Sequence, residues 1–470
     1  MKTRPRRIIV LAFAFLLAAC SAEVAAPRST DAPPVTASPT ATPQPTNAAS
    51  DIVYLRSVGS GGVTNILVID ARTGATLRTL PDGSPSFDRS TLYTTQETNG
   101  ATETVVRRID IGSQRELGSF TLDGTYHAIW TDSGQTALSR DDRLLALSIY
   151  PYKVDGEWVT GYKVVDPASG TTRASLDLKG QSTYGFVAMS PDGRSLYLNG
   201  PLALSPSGET DSGIRVFDVP SSTLLPANAI AGAVRQSGFR TAPVFSKDGR
   251  WMFSLDAGNP MGNCTSFDGP RCTPKADERP YIVALDLVSR RMVTVPLPME
   301  QRSTDFEKYV LWSLAVAPDG GTVYAVNPAL GLIDEVDARQ MTIRRTSTIK
   351  VSRGDAGLLS ALRQVLFPVA QAKRYITSGA VVSPDGSRIY AVADKGISVI
   401  ETATLASRST YFVTDDEFDS LALTPDGERL YAVSNTKGTI VIVATRDATR
   451  LGQLKLHAFG QTIVRIDSAP

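Results

Sequence analysis

Ser383-Pro384-Asp385-Gly386, with the apolar pair Ile389-Tyr390 two residues further on, decides the fold of this chain. The same phrase stands at Ser190-Pro191-Asp192-Gly193 before Leu196-Tyr197, and at Thr424-Pro425-Asp426-Gly427 before Leu430-Tyr431. Each reads as a tight turn between two strands. Proline presets φ for the second turn position, aspartate bonds back to the backbone, and glycine takes the φ > 0 position that closes the turn. Seven such sites run along the chain, centred on Asp88, Asp141, Asp192, Asp248, Asp319, Asp385 and Asp426. The copies at Ser86-Phe87-Asp88-Arg89 and Ser139-Arg140-Asp141-Asp142 are degenerate. Hairpins repeating every ~40–70 residues imply a closed ring of small sheets.

Each hairpin leads into a third strand rich in β-branched residues, at 65–70, 105–110, 162–166, 214–218, 281–286, 332–337, 397–401 and 439–443. Alternation marks these as half-buried strands, and a turn and a more polar fourth strand follow, as at 75–80 and 171–178. Seven hairpins against eight third strands leave one hairpin missing. The chain's first strand (52–55) and its last (462–466) resolve the count if the last is the innermost strand of the sheet begun at Asp51. The expectation is an all-β ring of eight four-stranded blades closed by its own ends, with seven blades as the alternative.

Pro318-Asp-Gly-Gly-Thr-Val-Tyr-Ala-Val-Asn327 and Pro425-Asp-Gly-Glu-Arg-Leu-Tyr-Ala-Val-Ser-Asn435 resemble the YVTN-type β-propeller repeat. That repeat continues into a Val-x-Val-Ile-Asp strand, which 397–401 roughly matches. The likeness is good from 311 to about 456 and loose from 51 to 310, and it is similar in a weaker way to WD40-like repeats of periplasmic propellers. The resemblance implies a propeller in the cell envelope and brings no catalytic residues with it.

The N-terminus reads as an export signal. Lys2, Arg4, Arg6 and Arg7 precede an uncharged apolar run at 8–17, far short of the ~20 residues a membrane span needs. Leu17-Ala18-Ala19-Cys20 has the form of a lipobox, so the chain resembles a bacterial lipoprotein precursor. This implies a signal peptide over 1–19, acylation of Cys20 and lipid anchoring on the extracytoplasmic side of the membrane. Residues 20–50 follow as a disordered tether, its prolines at 27, 33, 34, 39, 43 and 45 set among Ser, Thr, Ala and Asn. The propeller domain then occupies 51–470.

Without residues 1–19, 44 basic residues face 47 acidic ones, a balance of −3. No basic patch follows, and nucleic acid is not an expected partner. With Cys20 assigned to lipid, Cys264 and Cys272 are left as a pair in an oxidising compartment. A disulfide between them would be worth about 2.5 kcal/mol in the chain-entropy model. A metal site there would want further Cys or His nearby, and the sequence has none.

The catalytic inventory is thin. His127 and His457 are the only histidines, which excludes multi-histidine metal sites. No Gly-x-Ser-x-Gly elbow, phosphate loop, Cys-x-x-Cys or His-Glu-x-x-His occurs. Carboxylates abound in turns, so no catalytic pair can be singled out. No catalytic residue, cofactor or metal ligand is assigned.

In a propeller the Pro-Asp-Gly hairpins share one face with the turns between third and fourth strands. Every sizeable insertion falls on the other face, at 150–161, 199–213 and 256–280 between second and third strands, and at 226–241, 296–309 and 352–378 between blades. Decorated loops on a rigid scaffold are where binding concentrates. Tyr184, Arg240, Trp312 and Ser378 fall just before innermost strands and are candidates to line the channel mouth, although Trp312 equally suits packing between blades. Asp415, Asp416, Glu417 and Asp419 lie in an interblade loop. Their oxygen density suits Ca²⁺, yet the run lacks the alternating acids, central Gly and distal Glu of a calcium loop, which favours a solvated charged loop. The leading expectation is a lipid-anchored binding or scaffold module for an envelope protein or glycan. The alternative is a lactonase-like propeller hydrolase with a carboxylate-lined, Ca-dependent channel.

Overall fold

The computed structural model describes residues 51–468 except 59–63, 131–135, 205–209, 235–240, 258–278, 299–310, 350–378, 409–415 and 457–458. The described residues form eight antiparallel sheets and no helix. Every sheet supplies a four-stranded blade. Blade 1 runs outward as Phe459–Asp467, Ile52–Val58, Thr64–Asp70 and Thr76–Pro81, so the last strand of the chain is the innermost strand of the first blade. Val53 pairs with Ile466 and Ile52 with Asp467. Blades 2 to 8 begin at the innermost strands Gly83–Pro85, His127–Ala128, Gly185–Met189, Val244–Phe245, Ser313–Val316, Ala380–Val382 and Ser420–Leu423.

The second and third strands bury both faces, and this is what turns a row of sheets into a ring. Along Leu196-Tyr197, the leucine packs toward blade 3 with Val164 and Leu176, while the tyrosine packs toward blade 5 with Val283 and Leu285. Ile389-Tyr390 and Leu430-Tyr431 divide the same way between the preceding and following blades. The apolar core is accordingly eight seams, one per blade boundary. The seam between blades 8 and 1 is as complete as the others, with Val433, Ile440 and Ile442 against Val53, Leu55 and Ile466. Period-2 alternation here separates two neighbours rather than core from solvent.

The repeated turn behaves as its residues dictate. In blade 4, Gly193 sits at φ 68 and donates to the Ser190 carbonyl at 2.9 Å. The Ser190 hydroxyl donates to Asp192 at 2.6 Å and accepts from the Ser195 amide at 2.9 Å. Gly249, Gly320, Gly386 and Gly427 repeat the positive φ. The degenerate copies keep the conformation without the glycine, placing Arg89 at φ 61 and Asp142 at φ 55.

A polar clasp completes the closure. Asp51 is fully buried, and Arg429 of blade 8 donates to both its oxygens at 2.7 and 3.0 Å. The Tyr431 hydroxyl donates to the same carboxylate at 2.6 Å. Burial, then the hydrogen bond to Asp51, pushes the Tyr431 hydroxyl pKa well above its ordinary value. Removing one partner of such a pair strands the other. We expect Asp51→Ala to cost roughly 3 kcal/mol in urea unfolding, and a truncation before 459 to lose cooperative unfolding altogether.

Candidate binding face

Strand directions put the Pro-Asp-Gly turns at one end of the ring and the insertions at the other. The turn end is chemically occupied. Asp385 takes hydrogen bonds from the Ser383 hydroxyl, the Ser387 amide and the Ser387 hydroxyl, and these lower its pKa to about 2. In the turns between third and fourth strands, Asp70, Asp166 and Asp337 each accept two backbone amides through one oxygen. Several are also paired, as Asp337 is with Arg344 and Asp218 with Arg290 of the next blade. These carboxylates serve the fold.

The insertion end is different at blade 3. There 150–161, expected as a loop, is mostly strand. Tyr152–Val154 pairs with the start of Glu157–Val165 in the register Tyr152↔Val159, Lys153↔Trp158 and Val154↔Glu157. Asp155 at φ 52 and Gly156 at φ 85 make the two-residue turn that matches strand twist. An Asp-Gly between alternating residues is a strong hairpin signal, and it was readable in the sequence. The strands of blade 4 likewise run on through most of 199–213, as Ser195–Leu204 and Thr210–Asp218.

Among the described residues this hairpin carries two of the three exposed aromatics. Tyr150 is 71% exposed, Tyr152 51% and Val154 38%, whereas the other exposed large apolar side chains among the described residues, Leu77, Phe87, Leu117 and Val288, are scattered elsewhere. Tyr150 is braced, as are two less exposed rings nearby. His127 lies against Tyr150 with centroids 3.6 Å apart, Lys153 Nζ sits 4.9 Å over Trp158, and Lys163 Nζ 4.4 Å over Tyr126. Lys163 also donates to the Asp123 carbonyl at 2.9 Å. Burial lowers the His127 pKa, and Glu97, 3.6 Å from its Nε2, opposes that only in part. The neutral imidazole is thereby favoured.

The residues singled out in the sequence take varied places. The Tyr184 carbonyl accepts from the Tyr162 hydroxyl at 2.8 Å, and its ring covers Gly200 so closely that a Cβ there would lie 2.2 Å away. It therefore braces blade 3 against blade 4. Trp312 is 1% exposed in the seam between blades 5 and 6, beside Phe253 and Leu314. Asp416 and Asp419 are buried, the first paired with Lys437 and the second accepting the Asn435 amide at 2.7 Å, while Glu417 is exposed. Arg240, Ser378, Asp415, Cys20, Cys264 and Cys272 lie outside the described residues. Among the described residues no three His, Cys, Asp or Glu side chains gather as a metal site.

The chain is an eight-bladed β-propeller. No protein-family model and no curated protein sequence matches it. Among solved structures it is similar to apo AztD from Citrobacter koseri, at 12% identity and TM-score 0.46 over 88% of this chain and 98% of that one. It is also similar to the dihydro-heme d1 dehydrogenase NirN in complex with DHE, at 12% identity and TM-score 0.48 over 90% and 78%. Kuenenia stuttgartiensis hydrazine synthase follows, at 14% identity and TM-score 0.38 over 82% and 90%. Nothing of their ligands or activities passes to this chain at such identities.

Gly156 is required by the hairpin's turn, since a β-branched residue at φ 85 clashes with its own backbone. Gly156→Val is expected to speed amide exchange across 152–159 at least tenfold while leaving the blade 8 strands unchanged, read by hydrogen-exchange mass spectrometry.

Proposed function

We propose that this protein is a lipid-anchored, extracytoplasmic binding module that presents its insertion-bearing face to a protein or glycan of the cell envelope. One observation carries the reading. Among the described residues two of the three exposed aromatic side chains, Tyr150 and Tyr152, stand on the blade 3 hairpin, Tyr150 braced by His127, while the turn carboxylates at the opposite end are held by their own turns and by neighbouring arginines. Aromatic rings held in place by neighbours present large contact area at low entropic cost, as binding surfaces require.

The lipoprotein part rests on the sequence alone. The basic start, the short apolar run and Leu17-Ala18-Ala19-Cys20 support export and acylation at Cys20, and 20–50 supports a tether that carries the domain away from the bilayer. The YVTN-type reading rests on the repeats at 318–327 and 425–435.

The experiment is a binding comparison in native envelope fractions. The tagged domain should retain a protein or polysaccharide that the double variant Tyr150→Ala/Tyr152→Ala loses by tenfold or more, with both proteins melting within about 2 °C of each other because neither ring is in the core. Equal retention by parent and variant sinks the assignment to this hairpin. Turnover of a lactone or ester with a Ca²⁺-raised Tm would favour the hydrolase instead. Fatty-acid labelling lost in Cys20→Ala tests the anchor separately.

A further inference from the structure

The two degenerate turns are not merely worn copies of the repeat. Where five sister turns have glycine, blade 2 has Arg89 and blade 3 has Asp142, both held at positive φ in a conformation that costs a side-chain-bearing residue energy. Where most sister turns have proline, these two have Phe87 and Arg140. The guanidinium of Arg140 lies 4.2 Å from the Phe87 ring centroid. Both side chains reach Gly249 of blade 5, whose added Cβ would meet Phe87 Cε2 and Arg140 Nη1 at 3.6 Å. Blades 2 and 3 are not neighbours of blade 5, so this contact crosses the axis of the ring. The Arg140 amide also donates to the Pro191 carbonyl of blade 4 at 2.9 Å. The turns of blades 2 and 3 thus stopper the turn end of the channel.

Asp142 sits at the root of that stopper and is poorly served. Its Oδ1 is buried without a hydrogen-bond partner. Asp88 faces it from blade 2 and Asp141 from its own turn, and both are carboxylates held ionised by their own serines. Tyr93 approaches from the second strand of blade 2, and Arg108 of the third strand is bonded to Tyr93 rather than to Asp142. Arg143 pairs with Asp141. Arg89 is packed with Trp130 at 5.7 Å, and Arg140 is over Phe87. Among the described residues the Phe87 amide is the group that favours the ionised form. Burial first, then Asp88 and Asp141, pushes Asp142 up to about 6.

We propose that Asp142 makes this stopper a proton-sensitive latch: neutral Asp142 lets the turns of blades 2 and 3 close on each other, and ionised Asp142, buried beside Asp88, pushes them apart. The sign follows from linkage. A carboxyl whose folded pKa is raised gives the folded state extra stability at low pH, and that stability is lost as pH rises from about 4 through about 6. The turn end is therefore tightest in mildly acidic surroundings and loosens at neutral pH.

The test is hydrogen exchange on the whole domain at pH 5.0 and 7.5, expressed as protection factors so that intrinsic rates cancel. Peptides covering 86–91 and 139–145 in the parent should lose at least fivefold protection on going to pH 7.5, while the sister turn at 383–388 does not change. Asp142→Asn, which keeps the shape and cannot ionise, should remove the pH dependence. Asp142→Gly, which restores the sister-turn residue and relieves the strained φ, should remove it too and guards against misfolding of the first variant. An equal pH response in both variants, or none in the parent, overturns the proposal.

Discussion

Everything in this molecule depends on bringing Phe459–Asp467 back to Ile52–Val58. A blade with both faces apolar cannot exist at an open end, because its second and third strands bury against two neighbours. The pairing of first and last strands supplies the missing inner strand, and the seam between blades 8 and 1 then buries Val53, Leu55, Tyr431 and Ile440. The clasp of Asp51 with Arg429 and Tyr431 adds direction to this otherwise non-directional burial. Its partners are nearly 380 residues apart, so its loop-closure cost is high and it rewards only a ring that has already assembled. Once closed, the ring leaves no blade short of its inner strand, the place where another chain could add.

The turn end shows what a repeat does when it is perfected for folding. Serine, aspartate and glycine satisfy one another within six residues, and the neighbouring turns use arginine to tie one blade to the next, as Arg290 does to Asp218. A carboxylate that already accepts several donors has little left for a ligand. The exceptions at Arg89 and Asp142 stand out against that background because they break the local rule at two adjacent blades, in the same two turns whose Phe87 and Arg140 reach blade 5.

Much of this was legible in residues. Leu430-Tyr431 announced a strand, and the count of seven turns against eight third strands announced the closing strand, because register and turn chemistry are local properties. The hairpin at 150–161 departs from the expected loop, although Asp155-Gly156 carries its signal, because the length of an insertion does not distinguish paired from irregular chain. For Trp312 the sequence left channel mouth and blade seam equally open, and the structure takes the seam; Asp416 was not legible as an ion-pair residue. Whether an aromatic before an inner strand turns to the channel or to the neighbouring blade is set by packing between Phe253 and Leu314, and whether Asp416 meets Lys437 is set by a contact 21 residues away. Neither follows from spacing.

The result is a ring with one end spent on its own construction and the other carrying a rigid aromatic hairpin. The most direct measurement places a photo-crosslinking phenylalanine analogue in cells, in separate proteins, at Tyr152 on the hairpin and at Asp426 on the turn end. A discrete envelope adduct, protein or polysaccharide, formed from position 152 and absent from position 426 is the result predicted. Adducts formed from position 426 and absent from position 152 would contradict the account.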